Sequence, residues 1–383
     1  MTPRRTVLKS ATALVALSMF SPTLALADNP TPVVATFSVL GDMVERIGGD
    51  HVDVTTLVGP DGDAHVYQPT PKDAGAVKNA KVLIVNGLEF EGWLDRLSEA
   101  SGFDGTLVVA TKGVDAIPFG EHDEHDDHDE HGHGDEKHAD HDDHDHEKHA
   151  DHDDHDHEKH ADHDDHDHEK HADHDDHDHE KHADHDDHDK HDDHEEHAGH
   201  DHHGHDHGAF DPHAWQSLDN AVIYVNNITA ALSEADPAHA GIFQKNRDAY
   251  VAEIEALEVE IDALMKALPE DRRTVVTSHD AFGYFAKHYG LTFEAPQGLS
   301  TESEASAADV AKLITQIRDE GISAVFVESI TDNRLLEQIA NETGAKIGGT
   351  LYSDSLSGSD GPAGTYLDMM RHNAETLSQA LGS

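Results

Sequence analysis

Residues 121–207 form a segment that cannot build a hydrophobic core, so the folded part of this 383-residue chain must lie on either side of it. The segment holds 32 of the 39 histidines and 39 of the 80 acidic residues. An eleven-residue unit, EKHADHDDHDH, begins at Glu136 and repeats without a gap until its fifth copy ends at Lys190. So little apolar surface cannot offset the entropy of ordering the backbone. We therefore predict that this insert is disordered without bound metal.

The first 27 residues have the pattern of a cleavable export signal. Arg4, Arg5 and Lys9 precede an apolar run, and a small-residue cleavage site follows it at 25–27. The two arginines are also similar to a twin-arginine signal, so the Sec and twin-arginine routes both stay open. Either route predicts a periplasmic protein whose mature chain starts at Asp28.

The charge and the missing cysteines restrict what the chain can bind. Outside the insert, 41 acidic residues stand against 20 basic ones. Nucleic acid and anionic membranes repel such a chain, whereas divalent cations are attracted to it. Because the sequence has no cysteine, disulfides and thiolate metal sites are excluded. Any metal ion must be held by nitrogen and oxygen atoms.

Strand-like and helical segments alternate on both sides of the insert. The strand-like runs before it are 33–38, 52–58, 81–85 and 106–110, with helical periodicity at 40–47 and 89–98. Those after it are 274–277, 292–294, 324–328 and 346–351, with helices beginning near 282, 305, 333 and 365. This alternation predicts an α/β fold with mostly parallel sheets.

We expect two similar lobes, each a mostly parallel sheet flanked by helices, with a cleft between them. The pattern assigns 28–237 to the N-terminal lobe, which includes the insert, and 269–383 to the C-terminal lobe. Between them, 238–268 has helical periodicity and no internal proline, which predicts one long rigid connecting helix.

Three of the seven histidines outside the insert stand where a ligand in the cleft could reach them. His65 lies in the loop after strand 52–58, His279 follows the run TVVTS, and His213 is in a proline-containing turn before a helix. Ligands bind at the carboxyl ends of strands in such sheets. One loop histidine is more often a solvated side chain, but three in an acidic chain without cysteine indicate a metal site. The other four precede a strand or lie in helical patterns: His51, His239, His288 and His372.

Carboxylates near the same predicted strand ends are further candidates. Asp354 ends the run KIGGTLYSD, and its oxygen would complete a tetrahedral shell with three imidazoles; a turn carboxylate is the alternative. Asp61, Asp63 and Asp211 are interpreted as turn formers and helix caps. Glu328 either orients a ligand imidazole through its second ring nitrogen or is an ordinary carboxylate at a strand end.

Five separated motifs carry a resemblance to a known family. DAHVYQPTPKD, FDPHAW, VTSHDAFGYFAKHYG, AVFVES and LYSDSLS occur in the order and spacing of the zinc solute-binding proteins of ABC transporters, in the cluster that also serves manganese. The resemblance covers nearly all of the mature chain. It implies a metal site between two lobes, with His65, His213 and His279 as ligands and Asp354 as the fourth, carboxylate ligand. It also implies an inner-membrane ABC permease with its ATPase as the partner.

The imidazole at position 279 bears on the choice of metal. In the protein family that the chain resembles, manganese-binding members carry a carboxylate at this position. Three imidazoles instead favour Zn²⁺. Copper and nickel also suit such a site, and a stand-alone metal buffer and a zinc hydrolase are alternative functions. An enzyme is disfavoured because HExxH is absent and four protein ligands leave no open coordination position. We expect a monomeric transport protein.

The insert is interpreted as a metal collector. A plain acidic spacer would not need 32 imidazoles, and imidazole is a common zinc ligand. Each ion bound there must order a flexible segment, so these sites should be weaker than a preformed site in the cleft. The sequence thus predicts one tight zinc in the cleft and additional weaker sites in residues 121–207.

Overall fold

The computed structural model describes residues 29–119 and 210–382. The predicted export signal at 1–27 and the insert at 121–207 lie outside the described residues. None of the helices within the described ranges combines the length and apolarity that a membrane span needs.

The first lobe is built on a four-stranded parallel sheet with the strand order β2-β1-β3-β4. Its strands are β1 (Thr31–Phe37), β2 (Val52–Val58), β3 (Val82–Val85) and β4 (Thr106–Val109). Its helices are α1 (Ser38–Gly48), α2 (Pro71–Asn79) and α3 (Leu94–Ser101). All four residues of β3 are buried and apolar, as expected for a parallel strand covered on both faces.

The second lobe repeats this topology with the strand order β6-β5-β7-β8, also parallel. Its strands are β5 (Thr274–Val276), β6 (Thr292–Glu294), β7 (Ala324–Glu328) and β8 (Lys346–Leu351). Its helices are α6 (Gly283–Tyr289), α7 (Ala307–Glu320), α8 (Arg334–Thr343) and α9 (Tyr366–Leu381). The predicted fold class, two α/β lobes with parallel sheets and flanking helices, is confirmed.

Among the described residues, two α-helices stand between the two sheets in sequence, α4 (Leu218–Ala235) and α5 (Ala240–Lys266). Helix α5 has 27 residues and is therefore roughly 40 Å long. It buries a stripe of apolar side chains and packs against α1, α4 and α9. The lobe limits 28–237 and 269–383 and the connecting helix 238–268 stay predictions.

A continuous hydrophobic core connects the two lobes. It contains Phe37 of β1, Phe326 of β7 and the buried stripe of α5, among others. A smaller cluster is confined to the second lobe, between its sheet and helices α7 and α8. Wide opening of the lobes would expose part of the shared core to water, so we expect only small lobe motions.

Part of the helical periodicity at 89–98 does not become helix. Gly87, Leu88 and Glu89 have φ angles of 88°, 53° and 63°, and α3 begins only at Leu94. The cause is Glu91, whose buried carboxylate accepts hydrogen bonds from the backbone N–H groups of residues 86 and 87 and from the hydroxyl of residue 36. These polar contacts fix a left-handed turn where apolar spacing alone predicts a helix.

Candidate metal centre

The structure brings the four predicted ligands together in one place. His65 lies in the loop after β2, His279 follows β5, Asp354 follows β8, and His213 precedes a short 3₁₀ turn before α4. One candidate ligand atom from each residue lies within 4.8 Å of the other three. His213, His279 and Asp354 are fully buried, and His65 is 7 % exposed. Residues more than 280 positions apart in sequence thus meet where strands of both lobes end.

The distances inside this cluster suit a small cation. Asp354 Oδ2 is 3.1 Å from both His65 Nε2 and His279 Nε2, and Asp354 Oδ1 is 3.6 Å from His213 Nε2. The Nε2 atoms of His213 and His65 are 3.4 Å apart. Tetrahedral zinc with bonds of about 2.0–2.1 Å to nitrogen holds its ligand atoms roughly 3.3 Å from one another. Asp354 Oδ1 is buried without a hydrogen-bond partner, as a ligand oxygen would be.

Two buried carboxylates contact two of the imidazoles at Nδ1, the ring nitrogen that faces away from the cluster. Asp211 Oδ1 is 2.8 Å from His213 Nδ1 and also accepts the backbone N–H of His213. Glu328 Oε2 forms an ion pair with His279 Nδ1 at 2.7 Å, a contact off the direction of the ring N–H bond. Its other oxygen accepts the backbone N–H groups of Ser278 and His279. Both carboxylates leave Nε2 facing the cluster, which is how metal-binding histidines are usually oriented.

These contacts decide between the interpretations of the two acids. Glu328 contacts a candidate ligand imidazole and is not simply a carboxylate at a strand end. Asp211 does form a local turn, but interpreting it only as a turn former or cap missed its contact with the ring of His213. The available signal was its position two residues before a candidate ligand in the motif FDPHAW.

The charges of the cluster stabilise one another. Burial alone lowers the pKa of His279, but the negative charges of Glu328 and Asp354 outweigh it and hold that pKa well above its usual value. Burial alone raises the pKa of Asp354, but His279 and His213 outweigh it and hold that pKa well below its usual value. A buried carboxylate thus stays ionised beside an imidazolium. A divalent cation would replace the charge of that proton, so its binding should release it.

The third imidazole, His65, is held differently. Within the described ranges, no hydrogen-bond partner contacts its Nδ1. Its backbone N–H donates to Asp63 Oδ1 at 2.9 Å, and the edge-on ring of Phe90 packs against it at 4.8 Å between centroids. Phe90 comes from the left-handed turn that Glu91 holds. The position of His65 therefore depends on its loop and on packing.

The other four described histidines lie outside the cluster. His51 and His239 stack on each other, His288 pairs with Glu258, and His372 contacts the carbonyl of Thr350. In the part of the chain that the structure describes, the only group of three or more potential ligands is that of His65, His213, His279 and Asp354.

Comparison with known proteins assigns the chain to a family. A family model described as "ZnuA: Zinc-uptake complex component A periplasmic" matches residues 33–380. The chain belongs to the ZnuA family. Its members are the metal-binding components of ABC importers and work with a membrane permease and an ATPase. The chain is therefore a periplasmic metal-binding solute-binding protein of the ZnuA family and not an enzyme.

Individual relatives, by their names or by the metal bound in a solved structure, are associated with different metals. The iron-binding protein YfeA of Yersinia pestis is 28% identical over 376 residues, which are 96% of this chain and 94% of YfeA. A manganese-bound mutant of a periplasmic metal-binding protein from Candidatus Liberibacter asiaticus has a TM-score of 0.66 at 26% identity, covering 92% of this chain and 99% of that one. The zinc-binding protein TroA of Treponema pallidum shares the fold, with a TM-score of 0.65 at 23% identity and coverages of 92% and 99%.

The Glu328→Gln variant tests the support of His279. An amide has one acceptor oxygen, so it cannot serve both the ring of His279 and the two backbone N–H groups. We expect zinc affinity to fall by about 10–100-fold, as for other residues that orient a metal ligand. Calorimetric titration measures this fall, with Glu320→Gln at an exposed end of α7 as the matched control. Unchanged affinity in Glu328→Gln would contradict the role of Glu328.

Proposed function

We propose that this protein captures Zn²⁺ between its lobes and delivers it to an inner-membrane ABC permease for high-affinity uptake. The observation that carries the proposal is the buried cluster of three imidazoles and one carboxylate, all within 4.8 Å. His65, His213, His279 and Asp354 are the proposed ligands. Nitrogen-rich tetrahedral sites suit zinc better than manganese, which prefers oxygen ligands.

Manganese and iron are the competing cargoes, because one relative is named as an iron-binding protein and another relative's structure was solved with manganese bound. Asp354 offers either metal an oxygen ligand. The imidazole at 279, however, makes the site poorer in oxygen than a site with a carboxylate at that position. Copper and nickel would also bind three imidazoles, so ligand type favours zinc over manganese more strongly than over these two. A stand-alone buffer is disfavoured because such a protein would not need the two-lobed frame of an importer component.

We also propose that the insert, residues 121–207, binds zinc at sites weaker than the cleft site and passes the ion on to the cleft. The described residues that flank it support this proposal. Pro118 and Phe210 form an antiparallel bridge, and the N–H of Asp211 donates to the carbonyl of Ile117 at 2.8 Å. The described residues on the two sides of the insert therefore contact each other close to His213, and tethering at that point would raise the effective concentration of captured metal near the site. Export by a cleaved signal at 1–27 and a monomeric state belong to the same proposal.

Competition between metals tests the choice of cargo. Metal-free protein receives equal concentrations of Zn²⁺ and Mn²⁺, and bound metal is quantified by mass spectrometry after dialysis. Because the insert also binds metal, the cleft site is read as the difference between the wild type and His213→Ala. We expect this difference to be close to one zinc per chain with negligible manganese. A difference made up of manganese would overturn the proposed cargo.

Uptake in cells tests transport. A strain that lacks the gene should take up less radioactive zinc at limiting concentrations, and the wild-type gene should restore uptake. Equal uptake with and without the gene would favour the stand-alone buffer.

A further inference from the structure

Of the four proposed ligands, His65 is the one most open to release. His213 and His279 are fully buried and each contacts a buried carboxylate through Nδ1, whereas His65 is 7 % exposed. His65 also lines two open cavities of about 1070 and 670 Å³ beside the site, which the other three do not line. We expect the ligand that leaves first on metal release to be the one that borders open cavities and whose second ring nitrogen has no partner among residues 29–119 and 210–382.

The loop that carries His65 is fastened to the opposite lobe at two points. Asp61 donates its backbone N–H to the carbonyl of Leu356 at 2.9 Å, and its Oδ2 accepts the N–H of Gly358 at 3.2 Å. Asp63 Oδ2 accepts the hydroxyl of Thr301 at 2.6 Å. Thr301 belongs to the segment between β6 and α7, and Leu356 and Gly358 follow Asp354. The loop of the first lobe is thus hydrogen-bonded to two segments of the second lobe, one of which carries the proposed ligand Asp354.

Asp63 connects the contact between the lobes directly to the proposed ligand His65. One carboxylate oxygen accepts the backbone N–H of His65 at 2.9 Å, and the other accepts the hydroxyl of Thr301. A single side chain therefore connects the position of His65 to the contact between the lobes. The pair is accessible to solvent, because Asp63 and Thr301 line a cavity of about 570 Å³ that does not include His65. Loss of the Thr301 contact would loosen the loop at Asp63, next to His65, without touching any of the four ligand side chains, while the contacts of Asp61 would remain.

We propose that the hydrogen bond from Thr301 to Asp63 is a clasp that holds His65 in the metal site and sets the rate of metal release. The inference rests on the proposed function, since it concerns ions held by His65 and its three partners. Asp63 and Thr301 are positioning residues: they act through His65 and the closure of the lobes. A permease that pulled Thr301 away from Asp63 would loosen His65 first and open the site toward the two cavities beside it.

Replacement of Thr301 by valine tests the clasp, because valine keeps the shape of threonine and lacks its hydroxyl. The full-length protein is loaded with one equivalent of Zn²⁺ and mixed rapidly with an excess of a chromogenic chelator. We expect zinc release to be about tenfold faster in Thr301→Val, since the lost hydrogen bond involves a charged acceptor. The association rate constant should change by less than about twofold, because altered contacts act mainly on dissociation.

Three further variants separate a clasp from general destabilisation. Thr301→Ser keeps the hydroxyl and should release zinc at the wild-type rate. Thr315→Val removes an exposed hydroxyl that bonds only within α7, and it should also be without effect. Asp63→Ala loses both contacts and should release zinc faster than Thr301→Val. Adding Thr301→Val to Asp63→Ala should cause no further acceleration, because both changes break the same bond.

Cobalt spectra tell failure of the clasp from failure of the metal site. Co²⁺ in a tetrahedral site of three imidazoles and a carboxylate gives intense visible absorption, and Thr301→Val should keep this spectrum. Equal release rates in the wild type and Thr301→Val, with the spectrum present in both, would overturn the clasp alone. Absence of the spectrum from the wild type would overturn the proposed site, and with it the clasp.

Discussion

Replacing His213 by alanine is expected to lower the zinc affinity of the cleft site by more than about 100-fold, because losing a ligand should cost more than losing a residue that orients one. His213 Nε2 lies 3.4 Å from His65 Nε2 and 3.6 Å from Asp354 Oδ1, so its removal leaves one side of the site without a donor. Calorimetric titration of metal-free protein should lose its tight phase, while the weaker phase assigned to the insert persists.

The matched control is His372→Ala, on α9 and outside the cluster. Its tight phase should be indistinguishable from that of the wild type. His213→Ala also leaves Asp211 without its imidazole partner, so the thermal unfolding of the metal-free variant has to be recorded beside the titration. A folded His213→Ala protein that still binds one zinc tightly would exclude His213 as a ligand.

Deletion of residues 121–207 is expected to keep the tight zinc and remove most of the remaining binding capacity, since the segment holds 32 of the 39 histidines. The flanking backbone supports this expectation: Pro118 and Phe210 are already bridged, so a short connection can replace the insert. Titration to saturation, with total metal measured independently, reports both the tight zinc site and the total binding capacity. Loss of the tight phase in a folded deletion variant would mean that the insert supplies ligands to the main site, and unchanged total capacity would remove its role as collector.

Delivery from the insert can be read from the same variant. At zinc concentrations that limit growth, a strain carrying the deletion should take up zinc more slowly than the wild type. With abundant zinc the uptake rates of the two strains should be equal, because the tight site then fills without the insert. A difference that persists at every zinc concentration would indicate damage to the lobes.

Much of the fold follows from local patterns in the sequence. Short β-branched runs alternate with helical periodicity, and the strands they predict are present in the structure. The two sheets arrange their strands in the same spatial order. The convergence of His65, His279 and Asp354 follows from one further rule, that parallel strands present their carboxyl ends at one edge of the sheet. His213 joins them from the turn before α4, which this rule does not cover. Periodicity failed at residues 89–93, where Glu91 binds nearby backbone N–H groups and stabilises a turn.

Contacts between distant carboxylates and their partners could not be predicted in the same way. The pairing of Glu328 with His279 connects neighbouring strands, so it could be proposed from the sequence but not chosen over its alternative. The bond from Thr301 to Asp63 spans 238 positions and depends on how the lobes meet, which neither residue's surroundings in the sequence reveal. The sequence predicts Asp63 as a turn former, and its carboxylate does accept the backbone N–H of His65. Its second contact is visible only in three dimensions.

The central claim is that imidazoles from both lobes share one zinc ion. Crystals of the zinc-loaded protein, measured on both sides of the zinc absorption edge, locate the metal without reference to the sequence. We predict an anomalous peak about 2.0–2.2 Å from the Nε2 atoms of His65, His213 and His279 and from a carboxylate oxygen of Asp354. A peak bound by other residues, or no peak between the lobes of zinc-loaded protein, would contradict the account.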